Sequence, residues 1–473
     1  MAESKKLANT AGKVTHNELF LFPLDEKMTA LDIRAFIDYH RDKIVPKFIQ
    51  DRNYYEGRPD ITKETQSQPD YRAHNTIVIN FASYLVDTFN GFFAGIPMKI
   101  SHDKKSVNDA VNDFNKRNNF SDKLYEISKM TSIYGRSYAR VYQNEDSRTC
   151  VTQSSVFDTF VIYDDSVSRS RLGAVVYSID DSNNWTGDVY LRKADGIVYS
   201  YNLQMGRNNL ELIDEDATVY HNIPIIEFNE NEERIPLFSR VKSVNDAINK
   251  ALSEKADDIE YFADAYLKIL GADIDEETLT NLIQNRIINL SGNEASNVVV
   301  DFLQKPNADT ESENLVNRLE KYAYLISNVP NINDETFGTA SSGVALQYKL
   351  QPMRNLAAGK ERKFSQSLGD MYRVVFNVTG NVPSGSEEEW QNLHYNFTQN
   401  IPANLADEAN TASTLTGITS QETQLSVLSI VPNPSDEIKK IKSEQAEQMK
   451  SAHESITNYS DDRNRNDTGD VDE

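Results

Sequence analysis

Between residues 28 and 55 the apolar positions fall at Leu31, Ile33, Phe36, Ile37, Ile44, Phe48 and Ile49. That spacing is close to 3.6 residues and predicts a helix, with Thr29 as its N-cap and a kink at Pro46. After a polar loop over 57–74, a second helix is expected over 77–93, closed by Gly95-Ile96-Pro97. Two more are expected over 107–118 and 121–134, after which Gly135 turns the chain. From 137 to 227 the period shortens to two, as in Val175-Val176-Tyr177-Ser178-Ile179 and Val189-Tyr190-Leu191. Turn signals at Ser182-Asn183-Asn184 and Ala194-Asp195-Gly196 divide this run. An antiparallel, hairpin-rich sheet follows from the pattern.

Beyond Pro236 the helical period returns, and 239–270 reads as one helix of about 30 residues and about 45 Å. Its apolar positions, Val244, Ile248, Ala251, Leu252, Ile259, Phe262, Tyr266 and Ile269, make a single stripe that neighbouring subunits of a ring could cover. A small α/β insert is expected over 271–310, with a helix at 276–284 and strands at 287–290 and 298–302. A helix over 311–327 ends at Val329-Pro330, a polar loop fills 331–342, and a helix over 343–378 contains Pro352, where a kink is expected. A strand at 393–397 and short helices after Pro402 complete the ordered chain. There Thr419 and Glu422 have capping-box spacing, Gly417 can end the helix before them, and Pro432 and Pro434 stop the helix after them. The segment 457–473 is polar and is expected to be disordered.

Charge changes this picture. The 473-residue chain has 49 Lys and Arg against 72 Asp and Glu, a net charge of −23, which opposes a uniformly phosphate-gripping surface. It is unevenly spread. Over 254–264 the long helix carries Glu254, Asp257, Asp258, Glu260 and Asp264 against Lys255 alone. The Pro-containing helix carries Lys349, Arg354, Lys360, Arg362, Lys363 and Arg373 against Glu361 and Asp370. Two such helices can meet, within a subunit or between neighbours, or each can present a solvated face.

Candidate chemistry is sparse. Gly359-Lys360 is followed by Glu361, with Arg354 five residues before Gly359, so no phosphate-binding P-loop is formed. Ala340 stands where a G-x-S-x-G elbow would place its serine. The seven histidines show no metal spacing, and adjacent acids such as Asp164-Asp165, Asp180-Asp181 and Asp257-Asp258 suit solvated turns and helix faces better than Mg²⁺. No catalytic residue, metal or cofactor is expected. Cys150 is the single cysteine, which excludes an internal disulfide and fits a reducing compartment. The opening residues are polar and mixed in charge, so no secretory signal is expected. The longest apolar stretch, 77–98, is broken by Asn80, Asp87 and Asn90 and reads as a buried helix rather than a membrane span.

Several segments, in order, resemble the portal proteins of tailed bacteriophages, in the branch typical of long-tailed phages of Gram-positive hosts. They are residues 86–97 (VDTFNGFFAGIP), 222–228 (NIPIIEF), 257–270, 331–350 and 417–423 (GITSQET). The resemblance runs from about 25 to 449 and implies an α+β portal fold. After an N-terminal segment (1–24) it implies a wing of helices and antiparallel sheet (25–238, rejoined by 379–400) and two stem helices (239–270 and 311–328). A clip (271–310), a tunnel loop (329–342), a kinked tunnel helix (343–378), a helical crown (401–452) and a disordered tail (453–473) complete the layout. It further implies a homo-oligomeric ring of twelve at one capsid vertex, with double-stranded DNA passing through. Implied partners are the terminase large subunit, which is the ATPase, a head-completion or adaptor protein, and the major capsid and scaffolding proteins. The location implied is the virion vertex, and host cytoplasm during assembly.

Within that frame Asn331, Asn333, Asp334, Glu335, Thr336 and Phe337 are the tunnel-loop candidates for approach to DNA, and Gly338 and Gly343 let the loop move. Asp257, Tyr261 and Asp264, at i, i+4 and i+7, share a helix face that could form an acidic channel wall or could bridge to the basic helix. Two readings of other classes stand beside this one: an acidic helical scaffold or adaptor, and a hydrolase using paired carboxylates.

Overall fold

Thr29 caps the first helix as its sequence position predicts. In the computed structural model its side chain accepts from the Asp32 backbone N–H while Asp32 accepts from the Thr29 N–H, a reciprocal box that opens α1 (Ala30–Tyr39). The helix does not run smoothly to 55. Pro46 lacks an N–H and would crowd the preceding turn, and the chain answers with a π-helical turn, His40–Ile44, in which the Val45 N–H bonds the His40 carbonyl. α2 (Val45–Tyr55) then starts with Pro46 in its first turn, where a missing donor costs nothing. The structure describes residues 4–63, 75–181, 185–205, 210–263, 267–270, 299–302, 309–332, 343–401, 405–428, 430–431, 434–435 and 437–450.

The helix expected from 77 begins later, as α3 (Phe81–Ala94), with Asn80 as its cap. Ile77, Val78 and Ile79 are β-branched and lie extended in front of it. α4 (Lys105–Arg117) and α5 (Phe120–Tyr134) follow the short strand β4 (Lys99–Ser101). α5 ends at Gly135, whose φ of +77° and whose place 2.3 Å, at a would-be Cβ, from the Arg234 carbonyl allow no side chain.

Three strands that the periodicity did not predict, β1 (Ser4–Lys6), β2 (Lys13–Thr15) and β3 (Phe20–Phe22), open the chain. The alternating runs at 175–179 and 189–191 lie in β8 (Arg171–Ile179) and β9 (Trp185–Arg192), and the hairpin region continues in β10 (Val198–Met205) and β11 (Leu210–Ala217). β3 joins β7 (Thr159–Asp164) in parallel, giving a sheet of order β1-β2-β3-β7-β8-β9-β10-β11 among the described residues. β5 (Arg136–Gln143), β6 (Thr149–Ser154) and β12 (Ile225–Asn229) make a second sheet. The turn at 194–196 is where the sequence puts it, between β9 and β10; 182–184 lies outside the described residues.

Phe20, Phe36, His40, Phe48, Phe160 and Tyr177 lock α1 and α2 onto the larger sheet through edge and tilted ring contacts. Burying rings of this size contributes on the order of 2 kcal/mol each.

The helix expected over 239–270 is shorter. A 3₁₀ turn at Ser239–Val241 leads into α6 (Lys242–Ala263), and Leu267–Leu270 is a strand, β13, antiparallel to β14 (Val299–Phe302). The run Leu267-Lys268-Ile269-Leu270 satisfies both a helical and an alternating pattern, and a ladder partner remote in sequence decides the matter. The clip helix and first strand expected at 276–284 and 287–290 lie outside the described residues. α7 (Asp309–Ser327) packs on α6, and α8 (Gly343–Phe376) keeps Pro352 within it. β15 (His394–Asn396) pairs with β4.

The described residues of 1–332 and 349–400 form one compact unit, and those of 333–348 and 401–473 a second. In the second, α9 (Leu405–Thr414) is followed by Gly417 at φ +82° and α10 (Gln421–Ser426). The cap of α10 is Ser420, which accepts from the Thr423 N–H, not Thr419. The Thr419 N–H is spent on the Leu415 carbonyl, and Glu422 accepts from Ser435 rather than closing a box.

Candidate functional site

One face of α6 is a row of side-chain acceptors one turn apart: Asn249, Ser253 and Asp257. An extended strand segment rises by about 6.6 Å every two residues and a helix by about 6 Å every four. The segment 75–79 uses that match. The N–H groups of Asn75, Ile77 and Ile79 bond Asp257 Oδ1 (2.5 Å), Ser253 Oγ (2.9 Å) and Asn249 Oδ1 (2.8 Å) in turn. Backbone donors of a strap that belongs to no sheet are thereby satisfied. Asn80 then caps α3 and donates to the Tyr55 carbonyl, fixing the strap to α2.

Tyr84, one turn into α3, holds the chain where it leaves α7. Its hydroxyl donates to the Pro330 carbonyl (3.2 Å) and accepts from the Ile332 N–H (3.0 Å), so one phenol brackets the start of the loop at 331. The Tyr324 ring packs on both Phe81 and Tyr84 at centroid distances of 5.5 and 5.8 Å. Burial, with Tyr84 and Glu320 nearby, pushes the Tyr324 hydroxyl up to about 12.

α8 is tied to α5 and to the segment after β12 by a buried cation. Lys360 is 1% exposed; its ammonium donates to the Ser128 carbonyl (3.0 Å) and Ser132 Oγ (2.7 Å) and lies 2.8 Å from Glu230 Oε2. Ser132 donates onward to Glu230, and the rings of Phe89, Phe93 and Phe364 surround the ammonium at 5.1–5.3 Å. Burial lowers the Lys360 pKa from the usual lysine value, and the Glu230 carboxylate opposes that shift. One turn on, Lys363 pairs with Glu232, and its hydrogen bond holds the Glu232 carboxyl below the usual range.

A family profile described as "Phage portal protein, SPP1 Gp6-like" matches residues 34–451. The chain belongs to that family. A curated relative, the portal protein of Clostridium phage phiCD119, is 21% identical over 398 residues, covering 78% of this chain and 85% of the relative. Helices combined with antiparallel and mixed sheets are the α+β architecture of a portal, and portal proteins are a structural, non-enzymatic class. No helix among the described residues is long and apolar enough to cross a membrane.

The portal reading singles out residues that the structure distributes unevenly. Asp257 is half-buried and engaged by the strap. Tyr261 lies in α6, one turn on, and Asp264 lies outside the described residues. Asn331 is at the root that Tyr84 brackets; Asn333, Asp334, Glu335, Thr336 and Phe337 lie outside the described residues. Of the basic helix, Lys360 and Lys363 meet Glu230 and Glu232 rather than the acids of α6. Arg362 is exposed, and Lys349 and Arg354 are half-buried, with Arg354 Nε lacking a hydrogen-bond partner. Lys255 of the acidic helix pairs with Glu313 of α7. Sequence reasoning missed the strap and Tyr84. The strap had a signal, three β-branched residues ahead of a capping asparagine, whereas Tyr84 had none, since its partners lie far along the chain.

Proposed function

We propose that this chain is the subunit of a homo-oligomeric ring, of twelve when closed, at one vertex of a phage capsid. Double-stranded DNA enters through its channel in packaging and leaves through it in ejection. The terminase large subunit and a head-completion or adaptor protein dock on the ring, which the major capsid and scaffolding proteins build around in the host cytoplasm. Membership of the portal family over 34–451 carries the reading. The described stem helices support it: Leu315, Tyr322 and Ile326 are 51%, 47% and 39% exposed and fall at i, i+7 and i+11 of α7, one apolar face left uncovered in a single subunit. Stem helices of a neighbour are the cover such a stripe requires. On this view the acidic balance lowers drag, because every phosphate contact with Lys or Arg adds salt-dependent affinity. Negative-stain images and native mass of the purified chain test the reading: rings with a central channel are expected, and a well-folded monomer at micromolar concentration in every buffer overturns it.

A further inference from the structure

The larger sheet ends in two edges of opposite charge. Among the described residues, β1 is paired in the sheet with β2 alone at one end and β11 with β10 alone at the other, where α1 also packs against β11. β1 reads Ser-Lys-Lys with all three residues exposed, and neither Lys5 nor Lys6 has a carboxylate partner among the described residues. β11 carries Glu211, Asp214, Glu215 and Asp216. Glu215 is taken by Lys193 and Tyr201, and Asp214 accepts from Asn202 Nδ2 at 3.0 Å. Glu211 and Asp216 are exposed and have no cation among the described residues.

A free strand edge presents N–H and C=O groups that can template a further strand. Like edges repel, lysine against lysine or acid against acid, so a symmetric edge-to-edge dimer is disfavoured, while unlike edges attract. A cyclic ring needs that asymmetry, since each subunit offers two different patches to its two neighbours. Length agrees as well. The register of β11 shifts between the partners Ser200 and Asn202, with Asp214 at φ +55°, so the straight part of this edge is 210–213, enough for a three-residue strand.

We propose that β1 of one subunit adds to the 210–213 edge of β11 in the next copy of this chain, which sets the Lys5–Lys6 pair against Glu211, with Asp216 beyond the bulge adding to the acidic field of the same edge. The inference rests on the ring reading and specifies one of its contacts. It is tested on the full chain with Lys5→Glu plus Lys6→Glu, with Glu211→Lys plus Asp216→Lys, and with all four together. Native mass spectrometry over a salt series follows assembly, and circular dichroism verifies folding. Each reversed pair should need about tenfold more protein for half-assembly at low salt, the difference should shrink as salt rises, and the fourfold swap should restore assembly. Parent-like assembly by both reversed pairs overturns the strand pairing while leaving the ring intact, as does a folded fourfold variant that stays unassembled. Absence of rings from the unmodified chain overturns the ring reading and the pairing with it.

Discussion

His40 sits in the π-helical turn with its Nδ1 2.9 Å from the Tyr177 hydroxyl, and burial, aided by Arg136, pushes its pKa down to about 3. The folded state therefore keeps it neutral, while the unfolded chain takes up a proton below about 6.5. More protons on the unfolded side mean that stability falls as pH drops from about 6.5 towards 3. Urea midpoints between pH 7.5 and 5 should fall for the parent and less steeply for His40→Phe; parallel profiles would detach His40 from the acid response. Lys360 makes a second case. Lys360→Met leaves Glu230 as a buried, unpaired carboxylate and should cost about 3–5 kcal/mol. Adding Glu230→Gln should return part of that loss, and strict additivity in the double-mutant cycle would show that the two do not act as a pair. Neither role is written in the local sequence. Lys360 looks like one more cation on a basic helix face, and only the fold brings Glu230, Ser132 and three phenylalanine rings around it.

At the scale of elements, what the sequence discloses is what local chemistry controls. Thr29 marks the start of α1 and Gly135 ends α5, because no Cβ fits beside Arg234, whereas α3 starts after its cap Asn80 rather than at 77. The hairpin of β9 and β10 follows from alternation and the turn residues 194–196. What it conceals is decided by distant partners: Leu267–Leu270 becomes a strand only because Val299–Phe302 lies alongside, and 75–79 lies extended because α6 offers Asn249, Ser253 and Asp257 at matching intervals. The same strap bears on the candidate channel wall, since Asp257 is already an acceptor within the subunit. Tyr84 extends the connection from α3 to the root of the next loop. Tyr84→Phe removes one acceptor and one donor from that bend while keeping the ring contact with Tyr324. Hydrogen exchange of the Ile332 amide should then quicken about fivefold, the equivalent of about 1 kcal/mol. An unchanged rate would mean that other contacts hold the bend.

For the whole molecule, the portal reading turns on how a strongly acidic ring treats DNA. The loop root at Pro330 and Ile332 is anchored through Tyr84, and the residues beyond it include the adjacent acids Asp334 and Glu335, followed by Gly338. If those acids face the narrowest part of the channel, they keep phosphates from settling there. Asp334→Lys with Glu335→Lys moves each subunit by +4 in charge, and repetition around the ring makes a tight cationic collar. DNA would be held where it should slide, and because the attraction is screened, the drag should lessen as salt rises. The apolar stripe of α7 is untouched by the change, so assembly should not suffer. The double variant should therefore form rings and enter procapsids yet package or retain DNA abnormally, as measured by packaged genome length in a salt series. Failure to form rings would make the loop a subunit contact, and normal packaging at every salt concentration would place it away from the DNA.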